Sequence, residues 1–159
     1  MNRRQIRGGT GWSLLFGLLA AGALAEPVQL KIMTLNVLTD GGSPSGNADA
    51  WIYTGGPDRR DRAIQVIVDA APDILALQEA EPNQVAVLTN APLLTAYGHS
   101  GAGRDDGASA GQHENIFYLT NRFTRTDQGV FWLSFTPDTP NSRYPGAAQV
   151  RIAVWAKLL

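Results

Sequence analysis

The chain has 159 residues, 44% of them hydrophobic and 17% charged, a balance that excludes a disordered chain and favours one domain or less. It contains no cysteine, which excludes both a disulfide framework and a thiolate metal site. Three of the 13 Lys and Arg side chains fall in the first 25 residues and none of the 14 acidic ones does, so the remainder is net acidic, at −4. It lacks the basic stripe through which a non-specific binder neutralises phosphates, and bulk nucleic acid is not favoured as a partner.

Residues 1–25 read as a secretory signal peptide. Arg3, Arg4 and Arg7 give a positive start; Leu14, Leu15, Phe16, Leu18, Leu19 and Leu24 form an apolar run; Ala23-Leu24-Ala25 is a small-x-small cleavage pattern. Cleavage before Glu26 predicts an exported protein, periplasmic or secreted. The apolar run from 13 to 25 is shorter than the roughly 20 residues that span a bilayer, so no stable membrane span is expected after cleavage.

Residues 28–37 are rich in branched side chains on both faces, which predicts a strand buried between two layers. A polar, glycine-rich loop follows over 39–56. Pro57-Asp58 opens a helix whose apolar face carries Ala63, Ile64, Ile67, Val68 and Ala71, and Pro72 ends it. Residues 73–79 form a second apolar strand, and Pro82 starts another helix with Val85, Ala86 and Leu88. Strand, helix, strand is the unit that builds a parallel pair with a right-handed crossover. The glycine-rich stretch 98–111, which includes His99, shows no periodicity and reads as a loop, with His113 just beyond it. Residues 116–119, 123–126 and 130–134 read as short strands, with turns at Asn121-Arg122 and Gln128-Gly129. A loop spans 136–148. Val150, Ile152, Val154, Ala156 and Leu158 then alternate on one face of a last strand, with no later segment to cover them. That uncovered edge predicts self-association. Trp132 and Trp155 read as core or sheet residues.

Two polar residues fall at strand ends. Asn36 closes the first strand and Glu79 the second. If the strands are parallel neighbours, both side chains emerge at the carboxyl edge, where open α/β sheets bind ligands. A carboxylate there can hold Mg²⁺, and a neighbouring amide can orient a phosphate. Position alone is equally met by strand-end polar residues that only face solvent. Asp105 and Asp106 lack the spacing of a calcium loop and are expected to tie their own turn.

The wording of the segments adds a resemblance. Leu30-Lys31-Ile32-Met33-Thr34-Leu35-Asn36-Val37 resembles the opening strand of the endonuclease/exonuclease/phosphatase superfamily, and Pro72-Asp73-Ile74-Leu75-Ala76-Leu77-Gln78-Glu79 resembles its second signature. Arg60-x-Arg62, Gly103-Arg104-Asp105-Asp106-Gly107, Ile116-Phe117-Tyr118, Phe131-Trp132-Leu133-Ser134 and Arg151-Ile152-Ala153-Val154-Trp155-Ala156 follow in the order seen in an exported bacterial branch. The resemblance implies an α/β fold, a two-layer β-sandwich flanked by helices (a four-layer α/β sandwich), of which residues 26–159 would be a truncated amino-terminal portion. It implies a phosphoesterase using Mg²⁺ or another divalent cation such as Mn²⁺, with a phosphate ester as substrate. Glu79 would bind the metal and Asn36 would orient metal or phosphate. Arg151 would contact a phosphate, or stand in solvent. The later Gly-Asp-x-Asn and Asp-His motifs of the family do not occur here, His99 and His113 match neither, and Gln112-His113 stands where relatives often have a Glu. A secreted binding domain without catalysis, or an inactive fragment of the same fold, is the competing expectation.

Overall fold

The computed structural model describes residues 28–41, 46 and 49–159, so the segment read as a signal peptide lies outside the described residues. Strand β1 (Ile32–Asn36) alternates: Met33 and Leu35 pack on the core, while Ile32 is 67% exposed. The expectation of burial on both faces is corrected, because among the described residues no layer covers the Ile32 face.

Helix α1 (Arg59–Ala70) begins where Asp58 caps it, the carboxylate accepting the Asp61 N–H at 2.9 Å. It ends at Ala71, which turns left-handed just before Pro72, a residue unable to extend the helix. Ala63 and Ile67 are its buried positions, in line with the expected face. Arg60 and Arg62 lie within its first turn. Strand β2 (Ile74–Ala80) leads to α2 (Pro82–Thr89), whose first residue is the expected proline. The loop before α1 contributes Trp51, which is fully buried in the core beside Val37, Leu75, Leu77 and Phe117.

The first sheet has the order β1-β2-β4-β3, with β3 (Tyr97–Gly103) and β4 (His113–Leu119) antiparallel to each other. β3 occupies the first half of the stretch expected to be a loop, and His99 and His113 sit in strands. The reason is steric. A Cβ on Gly98 would lie 2.8 Å from the Tyr118 ring, on Gly101 2.8 Å from the Glu114 carbonyl oxygen, and on Gly103 2.3 Å from that of Ala110. Glycine is used where neighbours cross the strand, and this erases the alternation that would announce it.

The second sheet pairs β5 (Arg125–Trp132) with β6 (Ile152–Leu158), antiparallel. Gln128-Gly129 is inside β5 and makes no turn between two strands. Gly129 pairs with Trp155, whose ring would stand 2.6 Å from a Cβ there. Trp155 thus lies over its partner strand and stays 42% exposed, unlike Trp132, which is buried and donates its Nε1–H to the Arg104 carbonyl at 2.7 Å. This sheet packs on β3 and β4. Arg125 joins the layers by donating to the His99 carbonyl (2.9 Å) and the Ser100 hydroxyl (3.0 Å). Ile152, Val154, Ala156 and Leu158 are consequently partly buried, not the uncovered face expected. The outer edge of β6 has no strand partner among the described residues. The chain is therefore an α/β sandwich, with helices on one face of the larger sheet and the smaller sheet on part of the other.

Candidate active site at the carboxyl edge of the parallel pair

β1 and β2 run parallel in a register that sets Asn36 beside Gln78, so Asn36 and Glu79 reach the same edge. Each is held by its own turn. The Asn36 Oδ1 accepts the Leu38 N–H at 2.9 Å, and Leu38 adopts φ +58°. The amide plane is fixed while its NH₂ and a second Oδ1 lone pair remain for other partners. The Leu38 carbonyl accepts from Gln84 Nε2 (2.9 Å) and from an Arg59 nitrogen (3.0 Å), and Arg59 also reaches the Thr39 and Asp49 carbonyls. Both helices thereby clamp the end of β1. Arg59 has this role although the sequence drew attention to Arg60 and Arg62.

Glu79 is set differently. Leu77 pairs with Asn115 and Ala80 with His113, so Gln78 and Glu79 together face the single residue Glu114. This is a β-bulge, which re-aims a side chain at the point where pairing is broken. Glu79 pays in conformation for the displacement: its φ is +61°, a left-handed geometry that costs a non-glycine residue about 1–2 kcal/mol. Strain of that kind gathers at functional sites.

Glu114 is the residue that sequence reasoning missed. Burial and then the neighbouring Glu79 charge push its carboxyl above the usual carboxylate range, against the pull of Arg151 and Arg104. Nothing in the local sequence marks Glu114; only the strand register places it opposite the bulge. A groove of about 160 Å³ runs between the sheets from Gln78 and Glu114 to Ile152 and Val154. Arg151 is exposed immediately before β6, within electrostatic range of Glu114.

His99 stacks on Phe117 with ring centroids 5.6 Å apart, and burial, then Arg125, holds its pKa below the ordinary value. His113 is buried in β4. Asp106 ties its own turn as expected, accepting the Ala108 and Ala110 N–H groups at 2.8 and 2.9 Å. Among the described residues no three His, Cys, Asp or Glu side chains group as a metal cage. At this edge Asn36 and Glu79 supply oxygen donors, with Glu114 opposite the bulge. Such a set fits a hard ion held by one or two carboxylates and water, as Mg²⁺ is.

Neither family models nor curated proteins gave a match. Solved structures did. The chain is 34% identical to an endonuclease/exonuclease/phosphatase from Bacteroides vulgatus, with a TM-score of 0.70 over 81% of this chain and 46% of that one. It is 34% identical to the mannosyl-6-phosphatase Bt3783 of Bacteroides thetaiotaomicron, with a TM-score of 0.71 over 82% of this chain and 46% of that one. A functionally unknown protein of Enterococcus faecalis aligns at 30% identity and a TM-score of 0.68, over 82% and 47%. The architecture is that of the α/β sandwich these neighbours share. Over the segment that it spans, the chain belongs to the endonuclease/exonuclease/phosphatase family. That segment is a little under half the length of these neighbours.

Proposed function

We propose that the protein acts on a phosphate ester with Mg²⁺ or Mn²⁺ at the Asn36–Glu79 edge, after export to the periplasm or medium. The observation that carries this reading is the parallel register that brings Asn36 and Glu79 together, with Glu79 turned out on a strained bulge. Glu79 would bind the ion, Asn36 would orient the ion or a phosphoryl oxygen, and Arg151 would approach the phosphate from the other sheet across the groove. Bound there, a divalent ion supplies Lewis-acid polarisation of the phosphoryl group. The likeness to a mannosyl-6-phosphatase, together with a net acidic chain, favours a small phosphomonoester such as a hexose phosphate over polymeric nucleic acid. His99 and His113 match neither histidine motif of the family, so binding of ion and phosphate is expected with little turnover by these residues alone. The full chain should bind Mn²⁺, measured by electron paramagnetic resonance, and Glu79→Ala should weaken that binding at least about tenfold. Equal affinity in the variant would place the metal elsewhere. Mass spectrometry of the exported fraction should find Glu26 as the first residue; intact Met1 retained in the cytoplasm would contradict export.

A further inference from the structure

The segment 133–149 leaves β5 at the edge of the sandwich where β2 ends. Gly103 and Ala80 both pair with His113, so Arg104 continues from β3 at that same edge, and its carbonyl accepts the Trp132 Nε1–H at 2.7 Å. The next residue, Leu133, donates its N–H to the Arg151 carbonyl at 2.8 Å. From there the segment is bonded to itself. The buried Ser134 hydroxyl meets that of Ser142 at 2.7 Å and accepts the Thr136 N–H at 2.9 Å. The Ser142 hydroxyl donates to the Thr136 carbonyl at 2.9 Å, and the Pro137 carbonyl accepts the Trp132 N–H at 2.8 Å. This anchoring holds two rings out rather than burying them. Phe135 is 78% exposed and Tyr144 45%, in an edge-to-face pair with centroids 4.6 Å apart. Apolar rings displayed on a well-bonded loop mark a contact surface. Two residues and one strand spacing separate Phe135 from Arg151, at most roughly 12 Å between Cα atoms, so one small ligand can touch both side chains. A pyranose ring has an apolar C–H face and a rim of hydroxyls, which an aromatic face beside a phenol matches. We infer that Phe135 and Tyr144 form a platform for the sugar ring of a hexose phosphate whose phosphate lies toward Arg151. The inference rests on the phosphate-ester reading above and adds what holds the alcohol part of the ester.

Calorimetric titration of the full chain with Mg²⁺ tests it, using inorganic phosphate, mannose 6-phosphate and adenosine 5′-monophosphate as ligands. Wild type is compared with Phe135→Ala and Phe135→Tyr, changes at an exposed position that should leave folding intact. Phe135→Ala should weaken mannose 6-phosphate about 3- to 10-fold, the usual worth of an aromatic contact, and leave inorganic phosphate within about twofold. Phe135→Tyr keeps a ring and should hold both ligands within about twofold of wild type. Equal weakening of mannose 6-phosphate and inorganic phosphate in Phe135→Ala overturns the inference, and so does no weakening of either. A loss confined to adenosine 5′-monophosphate also overturns it, since the pair would then be a platform for a base. If the wild-type chain binds no inorganic phosphate, the phosphate reading fails. Magnetic saturation transfer from the aromatic protons to methyl α-mannoside then still decides whether the pair takes a sugar. It is expected in wild type and lost in Phe135→Ala; its absence in wild type overturns the inference.

Discussion

Glu79 and Glu114 face each other across a two-for-one bulge, the first in a left-handed conformation and the second half-buried opposite it. Glycine adopts that conformation without penalty. Glu79→Gly should therefore stabilise the metal-free chain by about 0.5–1 kcal/mol, net of the entropy glycine brings to the unfolded state. It should at the same time abolish Mn²⁺ binding. Urea unfolding in chelator checks the first effect; a loss of stability would show that the backbone at Glu79 is not strained.

Arg59 should be irreplaceable by lysine. Its guanidinium donates to the carbonyls of Leu38, Thr39 and Asp49 and lies 6.0 Å from the Trp51 ring. An ammonium cannot reproduce that fork. Arg59→Lys is expected to cost about 1–3 kcal/mol, the usual worth of hydrogen bonds to a charged group. Faster hydrogen exchange over residues 37–41 should accompany the loss. A thermal melt unchanged from wild type would refute the clamp.

Gly103→Ala should be poorly tolerated. The added methyl would lie 2.3 Å from the Ala110 carbonyl oxygen and 2.7 Å from its nitrogen, backbone atoms that cannot swing aside. Overpacking of this kind costs about 1–3 kcal/mol. Gly46→Ala, with nothing among the described residues within 4 Å of the new Cβ, serves as the control and should stay within about 0.5 kcal/mol of wild type. Chemical denaturation of both variants makes the comparison, and equal stabilities would contradict the strand assignment of Gly103.

Asp73 makes stability depend on acid. The Lys31 N–H, at 2.7 Å, and then Arg122 hold its carboxyl below the usual range. A carboxyl that binds its proton less readily folded than unfolded contributes stability above its unfolded pKa of about 3.9, and loses it as pH falls through the depressed folded value. Asp73→Asn should therefore melt below wild type at about pH 5 and above, with the gap closing as pH drops toward about 2. A gap independent of pH would mean that the Asp73 charge is not what matters.

The strand–helix–strand opening was legible because its signals are local. Asp58 and Pro72 bound the helix through hydrogen-bonding and ring constraints that act within a few residues, and the 72–79 wording fixes β2. β3 and β5 were misread for a common reason. Their glycines answer to Tyr118, Asn115 and Trp155 on neighbouring strands, distant in sequence, so no window of β3 or of the Gln128-Gly129 step carries the pattern.

Of the candidate site, period and composition placed Asn36 and Glu79 at strand ends, and the family resemblance singled them out as candidates for metal and phosphate. Tertiary structure alone decided that the two share an edge, that Arg59 clamps one, and that Glu114 stands against the other. Those relations depend on register. A shift of one residue between β2 and β4 would turn Glu114 to the opposite face, and register is set by the summed packing of whole strands rather than by any residue in them.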